Sequence, residues 1–372
     1  MKCNAPTVAF RQPGINPATG KHYPPVSFRC FSKIFEEQGI SNLEWRVKVI
    51  TDYYNSCPRG LEPVLMPCKR CILCTRNYRR QWAYRLCGEA RTSGESMFLT
   101  LTCDDEHLPL VFPGGSLSHR PFQLFFKRLR KVMSAGYDYQ FVPPLTDASL
   151  IGRLPRTMQI RHYQRDRIRY YMCGEYGDSS HRPHYHACVF GCRFPDAYFQ
   201  KKVSGEAYYT SPTLQALWPY GFALFSDVTP RSASYVCGYV DKKCDAVRWC
   251  PQDGMPEYVR MSQGLGLDYL NRYHAQLYRF DSLGDVFGEF HSVGNIPVQA
   301  PKYFDDKYQL SHPENFDKIV VSRERRRLAR LCTMDVPADL SESGRVNAVL
   351  IARRRTRDFC ELAEPPLCDI RG

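Results

Sequence analysis

The sequence lacks any run of about 18 apolar residues, so no segment of it predicts a membrane-spanning helix. It also lacks an N-terminal apolar segment resembling a signal peptide, and it shows no internal repeat. Its 17 cysteines are an odd number in a chain too long for a small disulfide scaffold. These features predict a protein of a reducing cytoplasm, with most thiols free and no membrane partner.

Acidic residues are scarce where basic residues gather, and the net charge is +13 over 372 residues. Residues 69–91 carry seven basic residues against Glu89, residues 120–131 carry five against none, and residues 153–169 carry six against Asp166. Such blocks favour a polyanionic partner, because bound phosphates release counterions. With abundant Tyr and Phe beside them, they indicate nucleic acid rather than a merely solvated basic face.

Residues 168–191 read as two strands joined by a polar turn that contains Gly177 and Asp178. Side chains alternate along a strand, so His184 and His186 share one face. If the hairpin closes around residues 177–182, Glu175 lies opposite His184 and reaches the same face. Two imidazoles and a carboxylate suit Mn²⁺ or Mg²⁺, whereas a His-x-His pair alone is more often surface or satisfied core.

A second candidate group follows in residues 234–243, which are predicted to lie in a helix over 231–244. Tyr235 and Tyr239 are four residues apart and share a helix face, with Lys242 on the next turn. Two phenols beside a lysine and a metal-ready His pair form a coherent set for attack on a phosphodiester.

A third motif, C-x-x-C-x-x-C, is formed by Cys68, Cys71 and Cys74. Three thiolates could bind one structural Zn²⁺, with Cys57 or Cys3 as the fourth ligand. No neighbouring Cys or His pair completes the pattern, and free thiols at the start of a basic helix are the alternative.

The periodicity predicts helices over 75–92 and 119–132, strands over 97–102 and 222–228, and a basic helix over 317–331. The order of elements favours an α+β fold with a central antiparallel sheet flanked by helices, with extra N- and C-terminal segments. The predicted division is an irregular segment over 1–64, an endonuclease-like domain over 65–245, and a C-terminal extension over 246–372. Cationic side chains predicted to contact DNA are Arg76, Arg79, Arg80, Lys127, Arg128 and Arg182.

Several of these motifs resemble those of the replication initiation proteins of small single-stranded DNA microviruses, closest to the gokushovirus branch, within the HUH endonuclease superfamily. The similar stretches are Phe98–Thr102, Gly174–Gly177 with Arg182–His186, and Tyr235–Lys242. Pro67–Cys74 and the helix over 121–131 are also similar. Tyr185 departs from the usual apolar middle residue of the metal motif.

This resemblance implies a rolling-circle initiator that nicks and rejoins origin DNA. His184, His186 and Glu175 would hold Mg²⁺ or Mn²⁺, and Tyr235 or Tyr239 would form a 5′-phosphotyrosine link. Lys242 would stabilise phenolate or phosphate charge. Single-stranded DNA, origin DNA and a host polymerase and helicase are the implied partners, in the cytoplasm of a bacterial host.

Three other functions fit parts of the sequence. A non-catalytic single-stranded DNA-binding or packaging protein would need only the basic blocks and the aromatic residues. Another HUH enzyme, a relaxase or a transposase, would use the same metal and tyrosine chemistry with a different motif order or tyrosine number. A hydrolase centred on zinc at the cysteine motif fits least well, because three thiolates favour a structural site.

Overall fold

A computed structural model describes residues 6–18, 21–39, 43–69, 72–135, 167–177, 180–203, 205–238, 250–252, 254–279 and 300–332. Contacts divide the chain into two units, Met1–Tyr78 with Gln309–Pro366, and Arg79–Tyr308 with Leu367–Gly372. A search of the described helices finds none that combines the length and the apolar character needed to cross a membrane.

The first unit contains a three-stranded antiparallel sheet in the order β4-β1-β5. Its strands are β1 (Thr7–Arg11), β4 (Pro25–Cys30) and β5 (Glu62–Met66), and a two-residue pair, β2 (Ile15–Asn16) with β3 (Lys21–His22), lies between β1 and β4 in the chain. Helices α1 (Phe31–Glu37) and α2 (Leu43–Asn55) pack on this sheet. A small core forms there from Val8, Phe10, Phe31, Phe35 and Ile50.

The prediction of an irregular segment over residues 1–64 is therefore wrong. The prolines and glycines of residues 13–24 do interrupt the chain, but they lie between β1 and β4 and leave both strands intact. Val8 and Phe10 alternate toward the core, and the partners of β1 come from positions far along the chain. Such long-range pairing leaves little local signal.

The second unit is built on a seven-stranded sheet in which every neighbouring pair is antiparallel. In spatial order the strands are β12 (Tyr258–Met261), β7 (Arg169–Tyr176), β8 (Pro183–Phe190), β6 (Ser96–Leu101), β11 (Ala223–Ser226), β10 (Glu206–Thr210) and β9 (Tyr198–Val203). The hairpin β7–β8 lies inside the sheet, so both of its strands are paired on both sides.

Helices account for most of the remaining described chain. They are α3 (Ile72–Thr92), α4 (Leu108–Val111), α5 (Arg120–Ala135), α6 (Pro212–Leu217), α7 (Pro230–Gly238), α8 (Leu267–Arg279), α9 (Lys302–Ser311) and α10 (Pro313–Cys332). The boundary between the two units falls within α3.

Different helices cover the two faces of the seven-stranded sheet. On one face α5 buries Phe122 and Phe125, and the Phe122 ring centroid lies 5.7 Å from that of Tyr185 on β8. Burial of each such ring contributes about 1.5–3 kcal/mol. On the opposite face Trp82 of α3 contacts Tyr171 of β7 at 5.0 Å, and α7 packs on β7 and β8. The second face carries the candidate site.

The predicted α+β class, with an antiparallel sheet flanked by helices, is confirmed. The predicted hairpin, the strand at 97–102 and the helices at 75–92 and 119–132 are present, with ends that agree to within about three residues. Strands β9, β10 and β12 and helix α8 were not predicted, and β12 lies beyond the expected boundary at residue 245. The domain boundaries themselves stay predictions.

Candidate metal and tyrosine site

The hairpin register places the three predicted metal ligands together. Glu175 on β7 is directly opposite His184 on β8, and His186 lies two residues further along the same strand. One ligand atom from each residue can be chosen so that all three lie within 4.8 Å of one another. The register expected from a turn at residues 177–182 is therefore confirmed, and the three side chains share one face of the sheet.

Both imidazoles are fixed through Nδ1, which leaves each Nε2 facing the same carboxylate oxygen. His184 Nδ1 lies 2.9 Å from the Arg182 carbonyl oxygen, an acceptor, so this nitrogen carries the proton in the neutral ring. His186 Nδ1 lies 2.9 Å from Thr100 Oγ1. The two Nε2 atoms lie 2.5 Å and 2.8 Å from Glu175 Oε1. Outer partners of this kind orient metal-binding histidines.

Glu175 combines burial with an unsatisfied oxygen. The residue is 2% exposed, and its Oε2 atom is buried without a hydrogen-bond partner. Burial raises the pKa of this carboxyl, but the facing His186 and His184 outweigh it and lower the pKa to about 2. The carboxylate is therefore ionised at neutral pH. A buried anion with a vacant lone pair between two imidazoles fits a divalent cation, and this N/O ligand set suits Mn²⁺ or Mg²⁺.

Tyr235 on α7 lies beside this group. Its ring stands edge-on to that of His186, with centroids 5.2 Å apart and an interplanar angle of 88°. Its hydroxyl lies 3.4 Å from Glu175 Oε1, the oxygen that both Nε2 atoms approach. Phe98 stacks on His186 at 5.5 Å and contacts Tyr235 edge-on, so it packs between strand and helix.

Local sequence explains where α7 begins. Thr229 and Ser232 form a reciprocal cap, in which Ser232 N donates to Thr229 Oγ1 at 3.1 Å and Thr229 N donates to Ser232 Oγ at 2.8 Å. Pro230 occupies the first helical position, where its missing N–H has no cost. These contacts fix the first turn of α7, and Tyr235 lies one turn further along the helix.

The far end of α7 is held by Arg79 of α3. Arg79 Nε donates to the carbonyl oxygen and to Oγ of Ser234, both at 2.9 Å. A Cβ on Gly238 would lie 3.2 Å from Arg79 Cζ, so the glycine lets the guanidinium pack closely against the helix. Arg79 thus supports the helix that carries Tyr235.

Tyr239 and Lys242 lie outside the described residues, as does the rest of the predicted helix beyond Gly238. Their roles as second tyrosine and charge-stabilising lysine stay predictions.

The predicted DNA-contacting residues have different surroundings. Arg128 Nη2 donates to Leu217 O at 3.0 Å, and Arg182 donates twice to Cys103 O and pairs with Asp105. Arg79, Arg128 and Arg182 therefore all hold parts of the fold. Lys127 is exposed, and Arg76 and Arg80 on α3 are half-buried. Phosphate contacts for all six residues stay predictions.

The cysteine motif lies in the first unit. Cys68 and Cys74 are both buried, and their sulfur atoms are 3.9 Å apart, while Cys71 falls outside the described residues. Cys57 bonds Leu61 O just before β5, whereas Cys68 follows the end of β5. That strand separates them by roughly 13 Å, so Cys57 does not fit as the fourth ligand.

Sequence reasoning missed Thr100 and Phe98 as parts of this site. Both lie on β6, which pairs with β8, and Thr100 is opposite His186. The alternation of Phe98, Thr100 and Thr102 along one strand was the available signal, because such residues share one face. Nothing in the sequence indicated which strand would lie beside the histidines.

The chain is similar to replication-associated proteins of several phages. A family model for replication-associated proteins of the ORF2 type matches residues 146–244. Replication-associated protein VP4 of Bdellovibrio phage phiMH2K is 32% identical over 261 residues, which cover 69% of this chain and 72% of the relative. Replication-associated protein ORF2 of Spiroplasma virus 4 is 27% identical over 71% of this chain and 74% of the relative.

A third relative, replication-associated protein ORF4 of Chlamydia phage 1, is 28% identical over 72% of this chain and 60% of its own length. No solved structure matches the chain. The similarity to the Bdellovibrio phage protein extends over more than two thirds of each chain. The protein therefore belongs to the phage replication-associated proteins, as a microvirus-like replication initiator.

Proposed function

We propose that the protein initiates rolling-circle replication by nicking and rejoining phage origin DNA with a tyrosine nucleophile and a divalent metal. One observation carries the proposal: the Tyr235 hydroxyl lies 3.4 Å from Glu175 Oε1, the oxygen that the Nε2 atoms of His184 and His186 also approach. A phenol beside a metal-competent group is the arrangement that phosphodiester transfer to tyrosine requires.

Glu175, His184 and His186 would hold the cation through one carboxylate oxygen and two Nε2 atoms. Bound there, Mg²⁺ or Mn²⁺ acts as a Lewis acid toward the scissile phosphate. The Arg182 carbonyl and the Thr100 hydroxyl keep the two rings oriented before DNA arrives. Such preorganisation lowers the cost of assembling the site during the reaction.

The Tyr235 oxygen attacks phosphorus in line with the 3′ oxygen that leaves. A new O–P bond joins the enzyme to the 5′ phosphate as the old P–O bond breaks, and the phenolic proton is replaced at the released 3′ hydroxyl. The ester keeps the energy of the phosphodiester, so the reverse attack by a 3′ hydroxyl rejoins the strand. Tyr239 would provide the second nucleophile after one circuit, and Lys242 would stabilise the charge.

The free 3′ end would prime a host polymerase while a host helicase separates the strands. Single-stranded DNA and origin DNA are accordingly the proposed partners, and the cytoplasm of the bacterial host is the proposed location. The net charge of +13 supports a polyanionic substrate.

Trapping the covalent adduct tests this proposal. Labelled single-stranded fragments of the phage genome are incubated with Mn²⁺ and the wild-type, Y235F, Y239F or doubly substituted protein, then separated on a denaturing gel. We expect one single variant to form less adduct and the double variant to form none. A matched control is Y209F, because Tyr209 lies on β10 with its ring against Phe225 on the sheet face opposite the site.

Adduct formed by the double variant at the wild-type level would refute the tyrosine assignment. H184A and H186A test the metal separately, and undiminished Mn²⁺-dependent cleavage by both would remove the metal site. Single-strand binding without any cleavage by the wild-type protein would favour the non-catalytic DNA-binding function instead.

A further inference from the structure

Phe222 is an exposed aromatic residue on a fixed backbone. It directly precedes β11 and is 73% exposed. Its carbonyl oxygen accepts hydrogen bonds from Thr102 N at 2.9 Å and from Thr102 Oγ1 at 3.1 Å. The ladder between β6 and β11 therefore continues as far as Phe222, although its side chain extends into solvent.

The turn before Phe222 is also tightly packed. Gly221 has φ of +145°, and a Cβ there would lie 2.5 Å from Asp104 N and 2.7 Å from Thr102 O. Asp104 N donates to Tyr220 O at 2.9 Å, and Gln215 Nε2 donates to Gly221 O at 2.6 Å. Only glycine fits this position, so the exposure of Phe222 belongs to a well-defined backbone.

The strand register places Phe222 on the face that carries the candidate site. Thr100 on β6 is opposite both His186 on β8 and Leu224 on β11, and residues opposite one another share a face. Because side chains alternate, His184 and Phe222 lie on this face as well, one row nearer the hairpin turn. Two strand spacings separate them, about 10 Å.

We propose that Phe222 stacks on a nucleobase of the substrate strand, at a nucleotide next to the scissile phosphate. The proposal rests on the proposed function, because that function places the phosphate at Glu175, His184 and Tyr235. A single phenyl ring presents a flat apolar surface of the size of a base, and stacking tolerates any base because each has a π face.

The surroundings of Phe222 favour a base over an apolar protein surface. Thr102, directly opposite, and Asp104, at the end of the same strand, are polar, so the ring is not part of a broad apolar patch. Arg182, bound to Cys103 O at that end of β6, adds positive charge where a phosphate chain would pass. An isolated ring beside a cation suits a nucleic-acid strand.

The test compares binding of two fluorescent single strands of equal length, one with bases and one wholly abasic, by anisotropy without metal. We expect the wild-type protein to prefer the base-bearing strand, and F222A to lose about 5- to 100-fold of that preference. F222W should retain the preference. F199A is the matched control, because Phe199 is also exposed but its ring packs on Tyr209, on the opposite face.

An unchanged preference in F222A would overturn the proposal, as would an equal loss in F199A. Loss of self-association in F222A, detected by sedimentation with the DNA preference intact, would assign the ring to a protein contact and overturn it too. Y235F separates the two proposals: it should lose the covalent adduct and keep the base preference. A protein that never nicks but shows the F222A effect retains this site without the proposed reaction.

Discussion

Thr100 holds His186 from behind, with its Oγ1 atom 2.9 Å from the ring Nδ1. We expect T100V to weaken Mn²⁺ binding about 10- to 100-fold, because the ring loses the partner that orients it. Isothermal titration with Mn²⁺ measures the change directly.

T210V provides the control for this threonine. Thr210 is another buried threonine of the same sheet, and its Oγ1 donates to Ala223 O at 3.0 Å. It should bind Mn²⁺ with the wild-type affinity. Equal affinity in T100V and the wild type would show that Thr100 does not position a metal ligand.

Glu175 predicts a pH dependence for the stability of the metal-free protein. Its pKa in the folded protein is about 2, below the ordinary value of 4.5, so the ionised carboxylate stabilises the fold above about pH 4.5. That contribution is lost as the pH falls through about 2. The free energy of unfolding of the wild type, relative to E175Q, should therefore decrease as the solution is acidified from about pH 5 to about pH 3.

Urea unfolding in the presence of a chelator, followed by circular dichroism at several pH values, tests this dependence. A difference between the two proteins that does not change over the same range would mean that the imidazoles do not stabilise the ionised carboxylate.

At the level of elements, the contact of α3 with α7 determines how Tyr235 is presented. R79A removes both bonds to Ser234 and should lower the free energy of unfolding by about 1.5–3 kcal/mol, the usual range for hydrogen bonds to a charged group. It should also slow adduct formation, since α7 carries the proposed nucleophile. K127A, at an exposed lysine on α5, should leave stability unchanged.

The salt dependence of DNA binding distinguishes this role from the phosphate contact first predicted for Arg79. A lost phosphate contact reduces the slope of log affinity against log salt by about 1 and leaves stability intact. If R79A shows that result, Arg79 binds DNA and does not support α7.

The elements that sequence predicted well are those with strong local signals. The hairpin β7–β8 has turn residues between two alternating strands, and α5 has a regular row of phenylalanines that the structure buries. The register that brings Glu175 to His184 followed from the turn alone. Local pattern therefore sufficed for the metal group.

The remaining elements depend on long-range partners. Strand β9 exposes Phe199 and carries Lys201 and Lys202, so its pattern resembled a loop. The neighbours of β8 were equally inaccessible, since Thr100 lies 86 positions before His186. Pairing at such separations is set by the whole sheet and not by local propensity.

At the level of the whole molecule, we expect two different metals in the two units. The second unit has the N/O group described above, whereas the first has the thiol pair Cys68 and Cys74. Their sulfur separation of 3.9 Å is close to the roughly 3.8 Å that two thiolates adopt on one tetrahedral Zn²⁺. We therefore propose that a zinc ion is bound there, with Cys71 completing the motif.

Protein purified under reducing conditions should contain about one zinc per chain by mass spectrometry of the metal. C68S and C74S should lose it, and hydrogen exchange should quicken in β1, β4 and β5 while β7 and β8 remain protected. C57S should retain it, because Cys57 lies at the other end of β5. Full zinc content in both C68S and C74S would refute this site.

The direct opposition of Glu175 and His184 also limits how this gene can change in length. Loss of one codon within β7 reverses the parity of every residue on one side of the deletion, so the carboxylate would turn to the α5 face of the sheet. The encoded amino acids would be almost unaltered, and yet the cation could no longer be held. Spacing is thus inherited as strictly as residue identity in this stretch, whereas substitutions at many positions around it leave the geometry in place.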